Sequence, residues 1–215
     1  MKPVRILIAD DHELMRRGLA AELGQMPGWQ VAAEAANGQQ AVALAQSLKP
    51  NLIVLDLSMP ELNGLAATRR ILESDPGARI LILTAHESEQ LVREVLAAGA
   101  LGYVLKSDAG RVLVTALQSL LDGTPFFTSK VARAVLEGYL RSTAPAPSDA
   151  SILSAREQEI VQLLAEGKSN KEVARTLGIS VKTAETHRSN IMRKTGFSSL
   201  AELVRFAVRN KIIEP

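Results

Sequence analysis

At 215 residues the chain can hold one large domain or two modest ones, and 47% hydrophobic with 22% charged residues is an ordinary globular balance. The absence of cysteine excludes a disulfide framework and a thiolate metal centre. The net charge of +2 conceals an asymmetry: residues 1–122 carry 11 Lys+Arg against 14 Asp+Glu, a net of −3, whereas residues 151–215 carry 11 against 7, a net of +4. The last third is therefore where an anionic partner such as nucleic acid would bind.

Met1–Asp11 has too short an apolar stretch for a signal peptide, and no apolar run approaches the length of a membrane span. A cytoplasmic protein without membrane association is expected. In chain order, short β-branched, apolar runs occur at 4–9, 31–35, 52–55, 80–83 and 102–105. Each is followed by a segment of helical period: 13–23, 39–48, 65–73, 87–97 and 111–121. Strands alternating with helices predict βαβ units, and runs such as Leu52-Ile53-Val54-Leu55 suit strands buried on both faces. The prediction is an α/β domain with a doubly wound, five-stranded parallel sheet, whose ligands bind at the carboxyl ends of the strands. Gly123-Thr124-Pro125 ends this pattern, residues 129–141 read as a short connecting helix, and the Pro-, Ala- and Ser-rich 142–150 as a semi-extended linker.

Beyond 151 only helices are expected, at about 155–166, 170–177, 181–195 and 200–210. Ser154/Glu157, Ser169/Glu172 and Ser199/Glu202 each have the spacing of a capping box, Ser180 can cap a further helix, and Gly167, Gly178 and Gly196 stand where helices should stop. The predicted organisation is thus 1–122, a connector 123–150, and an all-α four-helix domain at 151–215.

Three aspartates fall at strand ends: Asp10 and Asp11 after the first strand and Asp56 after the third. Strands one and three are neighbours in a doubly wound sheet, so the carboxylates converge, and charges that close require protonation or a cation. Oxygen ligands in an open site suit Mg²⁺. Any one of these acids could be a solvated loop residue. Thr84 and Lys106 at the next two strand ends change the weighing, because a hydroxyl donor and an ammonium at the same edge are what a transferred phosphoryl group needs.

Asp10-Asp11, Asp56-Leu57-Ser58-Met59-Pro60 with Gly64, Thr84-Ala85 and Gly102-Tyr103-Val104-Leu105-Lys106 together resemble the receiver domains of two-component response regulators, a flavodoxin-like fold. The resemblance implies that Asp56 is the phosphoacceptor, and that Asp10, Asp11, Asp56 and the backbone carbonyl of Ser58 hold Mg²⁺. It further implies that Lys106 bridges to the phosphoryl group and that Thr84 and Tyr103 form a switch pair. Tyr103 could equally be a partly exposed aromatic filler.

Residues 152–213 resemble the helix-turn-helix domain of the LuxR/FixJ/NarL class, through Leu153–Glu157, Glu166–Ala174 and Ser180–Arg188. Together the two resemblances place the chain with the NarL/FixJ response regulators and imply a sensor histidine kinase, double-stranded DNA and a phosphorylation-dependent homodimer. RNA polymerase is left open as a further partner. The helical wheel bears on the same point. On the helix from Val181, residues Ala184, His187, Ile191 and Thr195 share one face and Lys182, Thr186, Ser189 and Arg193 the opposite one, flanked by Glu185 and Asn190. One face can pack while the other enters a major groove. The DNA-binding set is Lys182, Thr183, Glu185, Thr186, Arg188, Ser189, Asn190, Arg193, Lys194, Lys168 and Lys171, with Arg188, Lys194, Lys168 and Lys171 placed for phosphate. By periodicity alone a solvated polar face would account for the pattern. His187 reads as a core residue rather than a phosphate contact, and Thr195 stands where the family usually has leucine. On the last helix, Leu200, Leu203 and Val204 are expected to close the core and Ala207 and Val208 to face a second copy.

A Mg²⁺-dependent aspartyl-phosphate phosphatase would need a general acid two residues after its nucleophile, and Ser58 occupies that position; no enzymatic turnover is expected. An autoinducer-sensing LuxR-type regulator would leave the acidic set without a use. A phosphorylation-independent transcription factor of the same fold remains the alternative.

Overall fold

The computed structural model describes residues 3–128, 131–132 and 153–213, which fall into two compact units. The connecting helix and linker expected across 129–150 lie, but for two residues, outside the described residues. The first unit alternates strand and helix: β1 (Val4–Ala9), α1 (Glu13–Gly24), β2 (Trp29–Ala35), α2 (Gly38–Leu48), β3 (Leu52–Leu55), α3 (Gly64–Ser74), β4 (Ile80–Thr84), α4 (Glu89–Ala97), β5 (Gly102–Leu105) and α5 (Ala109–Leu121). A two-residue strand, β6 (Phe126–Phe127), follows.

All strands are parallel, in the order β2-β1-β3-β4-β5-β6. The strand order reverses between β1 and β3, and this is where such sheets bind ligands. The sheet has six strands rather than the expected five. After α5 the chain turns at Gly123 (φ 76°) and pairs Phe126 with Gly102 and Phe127 with Tyr103. Two residues are too few to register as a strand period, so only pairing along the exposed edge of β5 defines this element.

The central strands are buried along their whole length, as their unbroken apolar runs require. Ile6, Ile8, Leu52, Val54, Leu81, Leu83 and Val104 pack on one face against Leu19 and Leu23 of α1 and Leu113, Ala116, Leu117 and Leu120 of α5.

The second unit contains α6 (Ala155–Ala165), α7 (Asn170–Leu177), α8 (Val181–Thr195) and α9 (Leu200–Arg209). Ser154 and Ser169 form complete capping boxes with Glu157 and Glu172, and Ser180 accepts from Thr183 N. The third box is displaced: Ser199 accepts from Glu202 N, but the Glu202 carboxylate accepts from Ser198 N at 2.7 Å, one residue before the cap. Gly178 and Gly196 end α7 and α8 in the left-handed conformation, which costs glycine little. Ile160, Val161, Leu163, Leu164, Val173, Ala184, Ile191, Leu203, Phe206 and Ala207 form one core.

That core overturns part of the expectation for α9. Ala207 is fully buried and so unavailable to a second copy, whereas Leu200 is 43% exposed instead of closing the core. The middle and last turns of α9 pack on the domain through Leu203, Phe206 and Ala207, and the first turn overhangs it. Among the described residues no helix is long and apolar enough to cross a membrane.

Candidate functional site

A parallel sheet brings every strand's carboxyl end to one edge. Ala9 is paired with Leu55 and Thr84 with Leu105, so Asp10, Asp56 and Lys106 emerge side by side. Backbone bonds hold them there: Asp56 N donates to Ala9 O and Lys106 N to Thr84 O, both at 2.8 Å. Asp10 and Asp56 are almost completely buried, 1% and 2% exposed, while Asp11 stays accessible.

Lys106 Nζ lies 2.8 Å from Asp10 Oδ2 and 2.8 Å from Asp56 Oδ2. Asp56 Oδ1 accepts from Leu57 N at 2.8 Å, and Asp10 Oδ1 from His12 N at 2.8 Å. Burial pushes the Asp56 carboxyl up to about 6, against the opposing pull of Lys106. Burial alone would lower the Lys106 ammonium, but hydrogen bonds to Asp10 and Asp56 raise it above its ordinary value. Asp10 Oδ2 is thus engaged by the Lys106 ammonium at the floor of the pocket. Carboxylate oxygens of Asp10, Asp11 and Asp56 and a ring nitrogen of His12 lie within 4.8 Å of one another. These clustered hard carboxylate oxygens fit a divalent cation of the Mg²⁺ kind.

Thr84 and Tyr103 are both fully buried. Thr84 Oγ1 accepts from His86 N at 3.2 Å, and the Tyr103 hydroxyl donates to His86 O at 2.7 Å. Tyr103 is therefore not a partly exposed filler: its ring occupies the inward position, and burial followed by the charges of Asp56 and Glu87 raises its phenol. Ser58 Oγ is 2.8 Å from His86 Nε2. Arg16 Nη1 donates to Asp10 O at 2.6 Å and its Nε lies 3.6 Å from Glu34, which ties the acidic loop to β2. Gly64 opens α3 directly against the chain at Asp56, where a Cβ would overlap the Asp56 carbonyl oxygen.

His12, Arg16 and His86 are site residues that the sequence reading did not select. His12 follows the two aspartates directly and His86 lies two residues after Thr84, so adjacency to the strand-end positions was the available signal.

In the second unit, Ala184 and Ile191 are buried, with His187 and Thr195 half-buried beside them; Lys182, Thr183, Glu185, Thr186, Ser189 and Arg193 are exposed. The division of the α8 wheel is therefore present in three dimensions. Lys171 is exposed, and Lys168, Arg188 and Asn190 are half-buried, with Arg188 Nη1 3.4 Å from Asn170 Oδ1 and Arg193 Nη2 3.1 Å from Asn190 Oδ1. Lys194 is engaged: its ammonium lies 2.7 and 2.9 Å from the two oxygens of Glu157. Burial works to raise Glu157, but donation from Lys194 and Ser154 holds it below the ordinary carboxylate value. Lys194 thus carries an ion pair within the domain, which its sequence position did not suggest. The Thr195 hydroxyl donates to Ile191 O at 2.7 Å, and a cavity of about 360 Å³ opens beside it against Phe197 and Phe206.

A doubly wound sheet with this acidic edge, followed by a capped helix-turn-helix, defines a regulator built from a receiver and a DNA-binding domain. Residues 6–118 match the response regulator receiver domain family and residues 151–207 the luxR family of bacterial regulatory proteins. The chain belongs to the two-component response regulators that join these two domains. It is 38% identical to the oxygen regulatory protein NreC of Staphylococcus aureus (strain JH9), an alignment covering 98% of this chain and 100% of that one. It is also similar to the response regulator RcsB of Salmonella typhimurium, with 27% identity, a TM-score of 0.64, and coverage of 96% of this chain and 97% of that one. A structure of two RcsB dimers bound to two parallel DNAs matches with 27% identity and a TM-score of 0.59, covering 95% and 98% of the respective chains.

Proposed function

We propose that this response regulator is phosphorylated on Asp56 by a histidine kinase and then regulates transcription as a DNA-bound dimer. The observation that carries the phosphoacceptor assignment is Lys106 Nζ at 2.8 Å from both Asp10 and Asp56, at the carboxyl edge of the sheet. Asp56 is the nucleophile because it is central in this arrangement, with Oδ1 held by Leu57 N and Oδ2 by Lys106. Asp10, Asp11, Asp56 and the Ser58 carbonyl would hold Mg²⁺, which when bound offsets phosphoryl charge and fixes the approach geometry. Lys106 stays protonated and neutralises charge on the transferred group, while the Thr84 hydroxyl is placed to donate to it.

Tyr103 reports the event. Its hydroxyl is anchored on the His86 carbonyl, whose own N–H is bonded to Thr84, so a Thr84 hydroxyl redirected to a phosphoryl oxygen re-sorts the segment on which Tyr103 rests. Regulation rather than turnover is the purpose, because Ser58, two residues after the nucleophile, provides no carboxylic acid. The receiver spans 1–122, the connector 123–150 and the DNA-binding domain 151–215, and a regulator that reads DNA works in the cytoplasm. Lys182, Thr183, Glu185, Thr186, Ser189, Asn190 and Arg193 form the groove-facing set, with Lys168, Lys171, Arg188 and Lys194 on phosphates. RcsB dimers on DNA support the dimeric reading.

Acetyl phosphate with Mg²⁺ should add one phosphoryl group to the intact protein, detected by mass spectrometry. Asp56→Asn should abolish the addition and Asp11→Ala should weaken it; equal labelling of Asp56→Asn would place the acceptor elsewhere.

A further inference from the structure

The three acids of the pocket are not held equally. Asp56 is fixed at both oxygens, by Leu57 N and Lys106, and Asp10 by His12 N and Lys106. Asp11 has a side chain that is 34% exposed, and among the described residues it is met only by the outward ring of His12, with Nδ1 at 2.8 Å. Its direction therefore depends on the main chain from which it departs. That chain leaves the sheet at Asp10, whose N–H donates to Ala35 O at 3.1 Å. The peptide that follows is caught by a side chain: Arg16 Nη1 donates to Asp10 O at 2.6 Å. A peptide unit is planar, so holding this carbonyl also sets the plane that ends at the Asp11 Cα. Arg16 stands on the first turn of α1, with its own N–H bonded to His12 O at 3.1 Å, and so closes the loop 10–12 from the helix side. Its Nε faces Glu34 Oε2 of β2 at 3.6 Å, where β2 is in register with β1 through Glu34 and Ile8. The planar fork of a guanidinium can serve a carbonyl and a carboxylate at once, which a lysine ammonium does less well. A positive charge beside a cation site opposes the cation, and Glu34 offsets that charge.

We propose that Arg16, held by Glu34, is a positioning residue for phosphoryl transfer: its hydrogen bond to the Asp10 carbonyl fixes the 10–11 peptide and so aims Asp11 into the pocket as a Mg²⁺ ligand. The proposal rests on the reading of Asp10, Asp11 and Asp56 as the receiver's Mg²⁺ site. Two competing roles predict different behaviour. If Arg16 acted only through its charge, removing it would tighten Mg²⁺ binding. If it only held α1 against the sheet, removing it would lower stability and leave the Mg²⁺ affinity as it is.

The test is Mg²⁺ titration of the full-length protein followed by amide chemical shifts, with thermal melts in chelator and acetyl phosphate labelling over a series of Mg²⁺ concentrations. Arg16→Gln should raise the Mg²⁺ Kd about tenfold and move the half-saturating Mg²⁺ concentration for labelling by the same factor, with the rate at saturating Mg²⁺ within about twofold of the parent. Glu34→Gln, at a side chain that is 42% exposed, should raise the Kd by a smaller factor and add nothing once Arg16 is replaced. A Kd that falls or stays unchanged in Arg16→Gln, a Kd unchanged in Glu34→Gln, or losses from the two that simply add would overturn the assignment while leaving the carboxylate site intact. Asp11→Ala separates the underlying reading: it should weaken Mg²⁺ binding, and an unchanged Kd there would show that the acids are not the cation site, removing the basis for Arg16 as well.

Discussion

Asp56 is in tension with its surroundings. A carboxyl raised from 3.8 to about 6 is one whose protonated form the fold prefers. The unfolded chain releases that proton at lower pH, so the associated stability is fully present below 3.8 and is lost as pH rises through about 6. Without a divalent ion, Asp56→Asn should therefore stabilise the protein at about pH 7.5, by at most about 3 kcal/mol, and the gain should vanish near pH 4. Thermal melts in chelator at the two pH values check this; a gain that persists unchanged at the lower pH would remove the desolvation argument. Gly64 is constrained in the opposite sense. Because a Cβ there meets the Asp56 carbonyl oxygen, and backbone must move to relieve the overlap, Gly64→Ala should cost about 1–3 kcal/mol and slow acetyl phosphate labelling along with it. Denaturant midpoints and labelling rates measured on the same variant decide whether the two losses go together.

Among the elements, α8 carries most of the proposed groove-facing set. Its buried side is small, Ala184 and Ile191, so the helix seats closely on the core while Lys182, Thr186, Ser189 and Arg193 remain in solvent. Lys182→Ala or Arg193→Ala should cost about 1–3 kcal/mol on the operator if the side chain reads a base edge, with much less effect on random DNA. Lys168→Ala, at the turn before α7, should weaken all sequences alike and reduce the salt dependence by about one counterion. Binding isotherms at several salt concentrations, on operator and on random duplex, distinguish the two; losses of equal size on both DNAs for every variant would mean that α8 binds without reading.

For the whole molecule, a single helix-turn-helix reads few bases, so useful specificity needs two copies on half-sites about one helical turn apart. Ala207 is buried and cannot contribute to a seam, which leaves the overhanging Leu200 and the half-buried Val204 and Val208 as the apolar candidates on α9. Phosphorylated protein should sediment as a dimer and unphosphorylated protein as a monomer, and a shift between them needs only a few kcal/mol of differential stability. Sedimentation velocity with and without phosphoryl donor, and on operator DNA, measures it. Monomers under every condition would mean that the receiver acts without dimerisation.

Much of this protein was already legible in its sequence because its signals are local. The strands β1, β3 and β5 follow from short, mostly apolar runs, and the starts of α6, α7 and α8 follow from a serine placed to cap its own helix. Asp10, Asp56, Thr84 and Lys106 could be placed together because a parallel sheet necessarily collects its strand ends. What remained undecided depends on contacts between residues distant in the chain. The two-residue β6 exists only by pairing with β5, and Lys194 reveals its ion pair only when Glu157 folds beneath it, 37 residues away in sequence. Leu200 and Ala207 exchange their expected places because helical spacing says which residues share a stripe, not how far along that stripe the neighbouring helices reach. The turn of His12 toward the acids and the anchoring of Tyr103 on His86 are likewise matters of side-chain direction, which packing and hydrogen bonding decide and residue order does not.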